Sequence, residues 1–120
     1  MTNYSELPIY KATYDLLLRI YNQSQHWRRD LRYTLGEQLK KDITELLLII
    51  YQANKTKDKL LYIDKGKILL VKIRLQIRIV SDLHAIGTKQ YSLFAEMTEN
   101  ISKQLSGWEK YSKSIVEQKI

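Results

Sequence analysis

Apolar residues recur every three or four positions along most of the chain, which is the spacing of one face of an α-helix. Pro8 is tolerated only in the first turn of a helix, so it marks where the first helix starts. Asp30 is a suitable N-cap for the second helix, and Asn54 marks its end. The pattern predicts four helices, near residues 7–25, 30–54, 58–86 and 88–117.

The third segment fits two structures. From Val71 to Ile79 apolar and polar residues alternate strictly, which is the period of a half-buried strand, and Asp64-Lys65-Gly66 can close a hairpin before it. As a helix, the segment has one apolar face for a core and additional apolar residues elsewhere, among them Leu75. The helix is favoured, because a lone hairpin among three long helices would leave sheet edges to cover.

Length and segment pattern together predict an all-α fold, an up-down-up-down four-helix bundle that forms a single domain over residues 1–120. The longest apolar run, Leu46–Tyr51, is far shorter than the roughly 18 residues of a membrane span. The N-terminal sequence MTNYSELPIY lacks the basic and apolar regions of a secretory signal. We therefore expect no membrane association and a cytoplasmic location.

Positive charge is concentrated in the middle of the chain. Thirteen basic and six acidic residues lie within 28–78, so this segment holds the whole net charge of +7. Since attraction to phosphate is long-ranged, the asymmetry predicts a surface for a polyanion, with a merely solvated basic surface as the alternative. The candidate contacts with nucleic acid or a protein partner lie at the two helix junctions and along the third helix: Arg28, Arg29, Arg32, Lys55, Lys57, Lys59, Lys67, Arg74 and Arg78. In a tight bundle Arg78 can instead pair with Asp82.

Residues that carry catalysis or bind metals are scarce. The chain has no cysteine, and its two histidines, His26 and His84, lie in different segments without a ligand set. Asp42 and Glu45 form a carboxylate pair on one helix face, but the Glu-x-x-His turns of di-iron bundles are absent, so we interpret the pair as a solvated face. We predict no metal, no cofactor and no enzymatic activity.

Trp27 lies beside the first arginine cluster, at the predicted junction of the first two helices. An indole in a basic surrounding can stack on a base or fill a pocket on a partner. Burial between the two helix ends is the alternative, and the sequence slightly favours it.

Several short motifs keep a common order and spacing between Leu16 and Lys110: Arg32-Tyr33-x-Leu35-Gly36, Ala53-Asn54, Asp64, Leu75-x-x-Arg78, Gln90-Tyr91 and Leu105-Ser106-Gly107-Trp108. As a set they resemble the accessory variability determinant proteins of diversity-generating retroelements. That family belongs to a wider group of four-helix bundles, which includes proteins encoded in rRNA intervening sequences.

The resemblance implies helices throughout, a ring-shaped homopentamer, and a basic surface that engages a reverse transcriptase and template RNA or DNA. Val71, Leu75 and Ile79 are then expected at or beside a subunit interface, where assembly removes them from water. We expect a nonenzymatic accessory protein that binds RNA and DNA largely independently of sequence. The alternative is a structural or protein-interaction bundle of the rRNA intervening-sequence type, with no direct role in nucleic-acid binding.

Overall fold

The computed structural model describes residues 3–118 of the chain. Its four long helices are α1 (Pro8–Ser24), α2 (Glu37–Lys55), α3 (Lys59–Asp82) and α4 (Thr88–Gln118), and no strand occurs within the described residues. Short helical turns precede two of them: a 3-10 turn over Tyr4–Glu6 before α1, and before α2 an α-helical turn over Arg29–Leu31 with a π-helical turn over Arg32–Gly36. The prediction of an all-helical bundle is confirmed.

The four helices form a closed square in which each helix packs against the next and α4 packs against α1. Neighbouring helices run in opposite directions. Near the start of α2, Asp42 bonds to Gln76 toward the end of α3, and Lys67 early in α3 bonds to Glu109 late in α4. The bundle measures 53 × 21 × 20 Å, so it is elongated along the helix axes.

The helix α3 resolves the ambiguity of the alternating segment. Ile73 and Ile77 are buried in the core, whereas Val71 and Leu75 are 67% and 59% exposed. Residues two apart on a helix differ by about 200° around its axis, so a strict alternation distributes apolar residues to both the inner and the outer side. The helical interpretation is confirmed, and the hairpin alternative is wrong.

The core lies along the bundle axis and is built mainly from aliphatic side chains. Phe94 is fully buried on α4. Gly66 lies where α3 packs against its neighbours, and a Cβ atom there would be in van der Waals contact, 3.4 Å from Leu46 and 3.7 Å from Leu105. The other largest fully buried side chains are Leu16, Ile20, Leu39, Ile43, Ile50, Ile63, Ile73, Val80 and Ile101, with Leu46 and Leu105 themselves.

Helix α3 ends at Asp82, and not near residue 86 as predicted. The chain leaves the helix through a Schellman motif, in which the amide of His84 donates to the carbonyl of Ser81 and the amide of Ala85 to that of Val80. His84 occupies the left-handed position of this motif, with φ of 62°. Gly87, the glycine that follows in the sequence, lies beyond the motif.

Replacing His84 with Gly should raise the free energy of unfolding by about 1 kcal/mol, because only glycine adopts the left-handed conformation without a steric penalty. His84→Ala is the matched control, since alanine keeps the Cβ atom and gains nothing. Urea unfolding followed by circular dichroism measures both variants. Equal stability of the Gly and Ala variants would contradict the assignment of strain to this position.

One carboxylate that we interpreted as solvated is buried. Asp42 is 6% exposed and accepts hydrogen bonds from Gln38 at 3.0 Å and from the buried Gln76 at 3.1 Å, with Lys72 Nζ at 3.4 Å. The carboxylate therefore links α2 to α3 through a polar network inside the bundle. Its partner in the predicted pair, Glu45, is exposed as expected.

Candidate nucleic-acid interface

The arginine cluster at the start of the second helix surrounds an exposed aromatic ring. The guanidinium carbon of Arg32 lies 5.3 Å from the ring centroid of Tyr33, and that of Arg29 lies 5.9 Å away. Tyr33 is 58% exposed. Neither arginine forms an ion pair within residues 3–118; Arg29 is exposed, and Arg32 is half-buried beside the ring. We call Arg29, Arg32 and Tyr33 the Arg–Tyr cluster.

The backbone that carries this cluster is π-helical. Widening a helix by one residue changes the direction of its side chains, and such turns are frequent at functional sites. The turn ends at Gly36, where a Cβ atom would lie 3.5 Å from Ser24 and 3.6 Å from the indole of Trp27. The turn thus packs directly against the end of α1 and against Trp27.

Trp27 itself is 5% exposed and belongs to the hydrophobic core. Its indole fills the space between the end of α1 and the π-helical turn, so the burial alternative is confirmed and base stacking by this ring is excluded. The exposed ring at this junction is Tyr33. Tyr33 was not among the residues predicted to bind nucleic acid and entered the sequence prediction only within a family motif. Its spacing of four from Arg29 nevertheless places the two side chains on one helix face.

Arg28, the third predicted arginine, is already paired. Its Nε donates to both carboxylate oxygens of Asp30, at 3.0 and 3.2 Å. Both side chains are largely exposed, so the pair is weak and solvent-screened. Arg28 contributes less net positive potential than Arg29 and Arg32 do.

The three lysines of the second junction have different environments. Lys59 Nζ donates to the carbonyls of Ala53, Asn54 and Thr56, at 2.9, 3.1 and 3.0 Å, and so caps the end of α2. Lys55 lies over the ring of Tyr51, with its Nζ 5.7 Å from the centroid. Lys57 is exposed and forms no ion pair with any residue that the structure describes.

Lys59 therefore contributes to stability, and Lys59→Met should lower the free energy of unfolding by about 1–2 kcal/mol because three carbonyls lose a charged donor. Lys57→Met, the matched control, should change it by less than about 0.5 kcal/mol, as exposed substitutions generally do. Denaturant unfolding at fixed ionic strength compares the two. Equal losses of unfolding free energy in the two variants would show that the hydrogen bonds from Lys59 do not stabilise the protein.

The basic stripe of α3, formed by Lys67, Arg74 and Arg78, is paired with carboxylates at the surface of the bundle. Lys67 bonds to Glu109 at 2.9 Å and Arg74 to Glu99 at 3.2 Å, both on α4. The hydrogen bond from Lys67 lowers the pKa of the Glu109 carboxyl below its usual range. Arg78 pairs with Asp82 at 3.2 Å, as its spacing allowed. The pairs of Lys67 and Arg74 thus link α3 to α4, that of Arg78 stays within α3, and the stripe presents little uncompensated charge.

The two remaining basic groups, the Arg–Tyr cluster and the lysine pair Lys55 and Lys57, lie far apart in a single chain. The Arg–Tyr cluster lies before α2 and Lys55 and Lys57 lie at and after its end, and the 19 residues of α2 separate them by about 28 Å. A single copy therefore has a basic, aromatic end and a lysine-rich end. Contact with several of these basic groups at once therefore requires more than one copy of the chain, or a polyanion long enough to reach both ends of α2.

The outer side of α3 carries an apolar stripe that the bundle leaves uncovered. Leu75 is 59% exposed, and its exposed neighbours along the stripe are Leu61, Ile68, Val71 and Ile79. A contiguous row of large apolar side chains on a monomer surface typically marks a protein interface. All three residues predicted for a subunit interface, Val71, Leu75 and Ile79, belong to this stripe.

Within residues 3–118 no group of three His, Cys, Asp or Glu side chains is placed to hold a metal ion. None of the described helices combines the length and the apolar character needed to cross a bilayer.

Fold and surface together define a basic, elongated four-helix bundle with an uncovered apolar stripe. Residues 7–112 match the model of the bAvd-like family, which covers most of the chain. The chain belongs to the bAvd-like family, and the resemblance to accessory variability determinant proteins is confirmed. No curated protein matches the chain.

Proposed function

We propose that this bAvd-like chain is a nonenzymatic accessory protein of a diversity-generating retroelement, which binds nucleic acid and a reverse transcriptase in the cytoplasm. Membership of the family supports the accessory role. The net charge of +7, all of it from the central segment, supports a polyanionic partner.

The observation that carries the proposal is the Arg–Tyr cluster. Two guanidinium groups without carboxylate partners among residues 3–118 flank a ring that is 58% exposed. Guanidinium groups bind phosphate through several donors at once, and an exposed ring stacks on bases of any sequence. The cluster therefore binds RNA and DNA with little sequence preference, and the partner enzyme supplies specificity.

We further propose that the chain functions as a homopentameric ring held together by the outer stripe of α3. The stripe lies opposite the core face of the same helix, so assembly would remove it from water without disturbing the bundle. A closed ring forms when copies pack head to tail and the rotation from each copy to the next leads back to the first copy. A ring also places several Arg–Tyr clusters around one axis, which multiplies the attraction for a polyanion.

The partner enzyme is tested by genome context and copurification. A reverse-transcriptase gene and a variable repeat should lie beside the gene for this chain, and the two proteins should copurify after coexpression and nuclease digestion. Nuclease treatment separates direct contact from bridging by bound nucleic acid. Location within an rRNA gene, with no adjacent reverse transcriptase, would contradict this part of the proposal.

A further inference from the structure

Helices α1 and α2 share a surface on which exposed tyrosine rings lie beside lysines. On α1, Tyr14 and Tyr21 are each 46% exposed, and their spacing of seven places them on one side of the helix. Two open grooves, of about 310 and 410 Å³, cross this surface, and they are continuous because Thr44 lines both. We call this surface, from Tyr21 at one end to Tyr51 at the other, the α1–α2 face.

The first groove places a cation against a ring. Lys40 Nζ lies 4.6 Å from the ring centroid of Tyr21 and 3.4 Å from the carboxylate of Glu37. Lys41 lines the same groove, is exposed, and forms no ion pair within the part of the chain that the structure describes. The exposed carboxylate of Glu45 lies in this groove as well. The groove therefore combines an aromatic surface with one free positive charge, one compensated positive charge and one opposing carboxylate.

The second groove repeats this arrangement at the other end of the face. Tyr4, Tyr10 and Tyr51 line it. The ring of Tyr4 lies edge-on to the other two, with its centroid 5.3 Å from that of Tyr10 and 4.8 Å from that of Tyr51. Lys55 Nζ lies 5.7 Å from the centroid of Tyr51, and Leu48, which is 53% exposed, adds apolar surface. Both ends of the face thus place a lysine beside tyrosine rings.

The α1–α2 face connects the two basic groups that the length of α2 separates. The Arg–Tyr cluster precedes α2 at the end of the bundle where Tyr21 lies, and Lys55 ends α2 about 28 Å away. A strand that follows the face would meet cations at both ends and aromatic rings between them. Bases in a duplex are stacked on one another, whereas unpaired bases of any identity can stack on protein rings. The pattern of rings and charges therefore suits a single strand.

We infer that the α1–α2 face binds single-stranded nucleic acid, with unpaired bases stacked on Tyr14 and Tyr21 and phosphates at Lys41 and Lys55. This inference rests on the proposed nucleic-acid function, to which it adds the strand type and the path of the strand. At about 3.4 Å for each nucleotide, a face of about 28 Å accommodates about eight nucleotides, which is within the range of known stacking sites. The chemistry that is recognised, unpaired bases on a phosphate strand, is shared by RNA and DNA.

Strands with and without bases provide the first test. Fluorescence anisotropy at about 50 mM salt compares an oligothymidylate of about twelve nucleotides, longer than the face, with an abasic strand of the same length. The abasic strand should bind at least about 20-fold more weakly, because it keeps the phosphates and loses the stacking. Oligouridylate should match oligothymidylate within about threefold, since stacking and phosphate contacts do not read the 2′-hydroxyl. Equal affinity for the abasic and base-bearing strands, or binding of only one sugar type, would overturn the inference.

Replacement of both Tyr14 and Tyr21 with Leu removes two rings and keeps apolar side chains at these exposed positions. The double variant should bind oligothymidylate about 20-fold more weakly, whereas its affinity for duplex DNA should change by less than about twofold. Tyr111→Leu is the matched control and should bind like the unmodified chain, because Tyr111 is 65% exposed on α4 and lines neither groove. Unchanged affinity of the double variant for oligothymidylate, or an equal loss in the control, would overturn the inference.

Duplex binding separates this inference from the proposed function. Exchange of Arg29 and Arg32 for Glu removes the phosphate contacts of the Arg–Tyr cluster and should weaken the binding of duplexes and single strands alike. If that exchange abolishes duplex binding while the tyrosine double variant keeps its affinity for oligothymidylate, the α1–α2 face is overturned as a site and the proposed function stands.

A second copy of the chain is the alternative occupant of this exposed surface, and Leu48→Glu tests it. The substitution puts a carboxylate into the second groove, so the affinity for oligothymidylate should fall severalfold while light scattering shows an unchanged particle mass. Glu45→Gln removes a carboxylate from the first groove and should strengthen binding severalfold. A lower particle mass for Leu48→Glu would show that another copy covers the face, and it would overturn the inference.

Discussion

Leu75→Glu should convert the assembled protein into monomers, with about a fivefold fall in particle mass for a pentamer. The side chain is 59% exposed in one copy and lies at the centre of the outer α3 stripe. An interface that covers it would enclose an unpaired carboxylate in every copy, at a cost of about 3–5 kcal/mol for each. Because the site is on the outside of the bundle, helicity should not change.

Light scattering coupled to size-exclusion chromatography, at tens of micromolar protein, measures the mass. Leu75→Met is the matched control: it keeps an apolar side chain of similar volume at the same position, so this variant should remain assembled. A monomeric mass for the unmodified chain would contradict the proposed ring. So would retained assembly of the Leu75→Glu variant, which would place the interface elsewhere.

Exchange of both Arg29 and Arg32 for Glu should lower the affinity for structured RNA and duplex DNA by more than about 100-fold near 50 mM salt. Two phosphate contacts are lost and two repulsive charges take their place. The slope of log affinity against log salt should also fall by about one for each lost contact. Fluorescence anisotropy with a labelled oligonucleotide measures both quantities.

The matched control is the exchange of Lys11 and Lys103 for Glu, which changes the net charge by the same amount at exposed positions outside the central segment. This control variant should lose affinity only weakly, through the smaller overall field. Identical losses in the two double variants would show that total charge, and not the Arg–Tyr cluster, determines binding.

Much of the fold follows from the sequence because helical spacing extends over whole segments. Ile73 and Ile77 are four residues apart, so they share one helix face, and both are buried. This helical spacing decides the structure of the segment, although the alternation around it is typical of a strand. The end of α3 was less accessible to sequence reasoning. His84 takes the left-handed position that glycine usually occupies, and no residue pattern nearby predicts that a histidine ends the helix there. The π-helical turn over Arg32–Gly36 likewise depends on the packing of Trp27 against Gly36.

The candidate site was predictable only in part, because charge along a sequence does not show which charges are already paired. The Arg78–Asp82 pair could be foreseen from its spacing of four. The partner of Lys67, in contrast, is 42 residues away on another helix, and Lys59 bonds to backbone carbonyls that no side-chain pattern reveals. The burial of Asp42 was not predicted for the same reason, since its hydrogen-bond partner Gln76 lies on another helix, α3.

Binding of the unmodified protein to nucleic acid across a salt series is the decisive experiment for the proposed function. We expect measurable binding to structured RNA and duplex DNA near 50 mM salt, as is typical of phosphate contacts, with log affinity falling linearly with log salt and little difference between unrelated sequences. No salt-sensitive binding to either nucleic acid at about 50 mM, where screening is weak, would contradict it. The bundle would then be a structural or protein-interaction module without a direct role at nucleic acid.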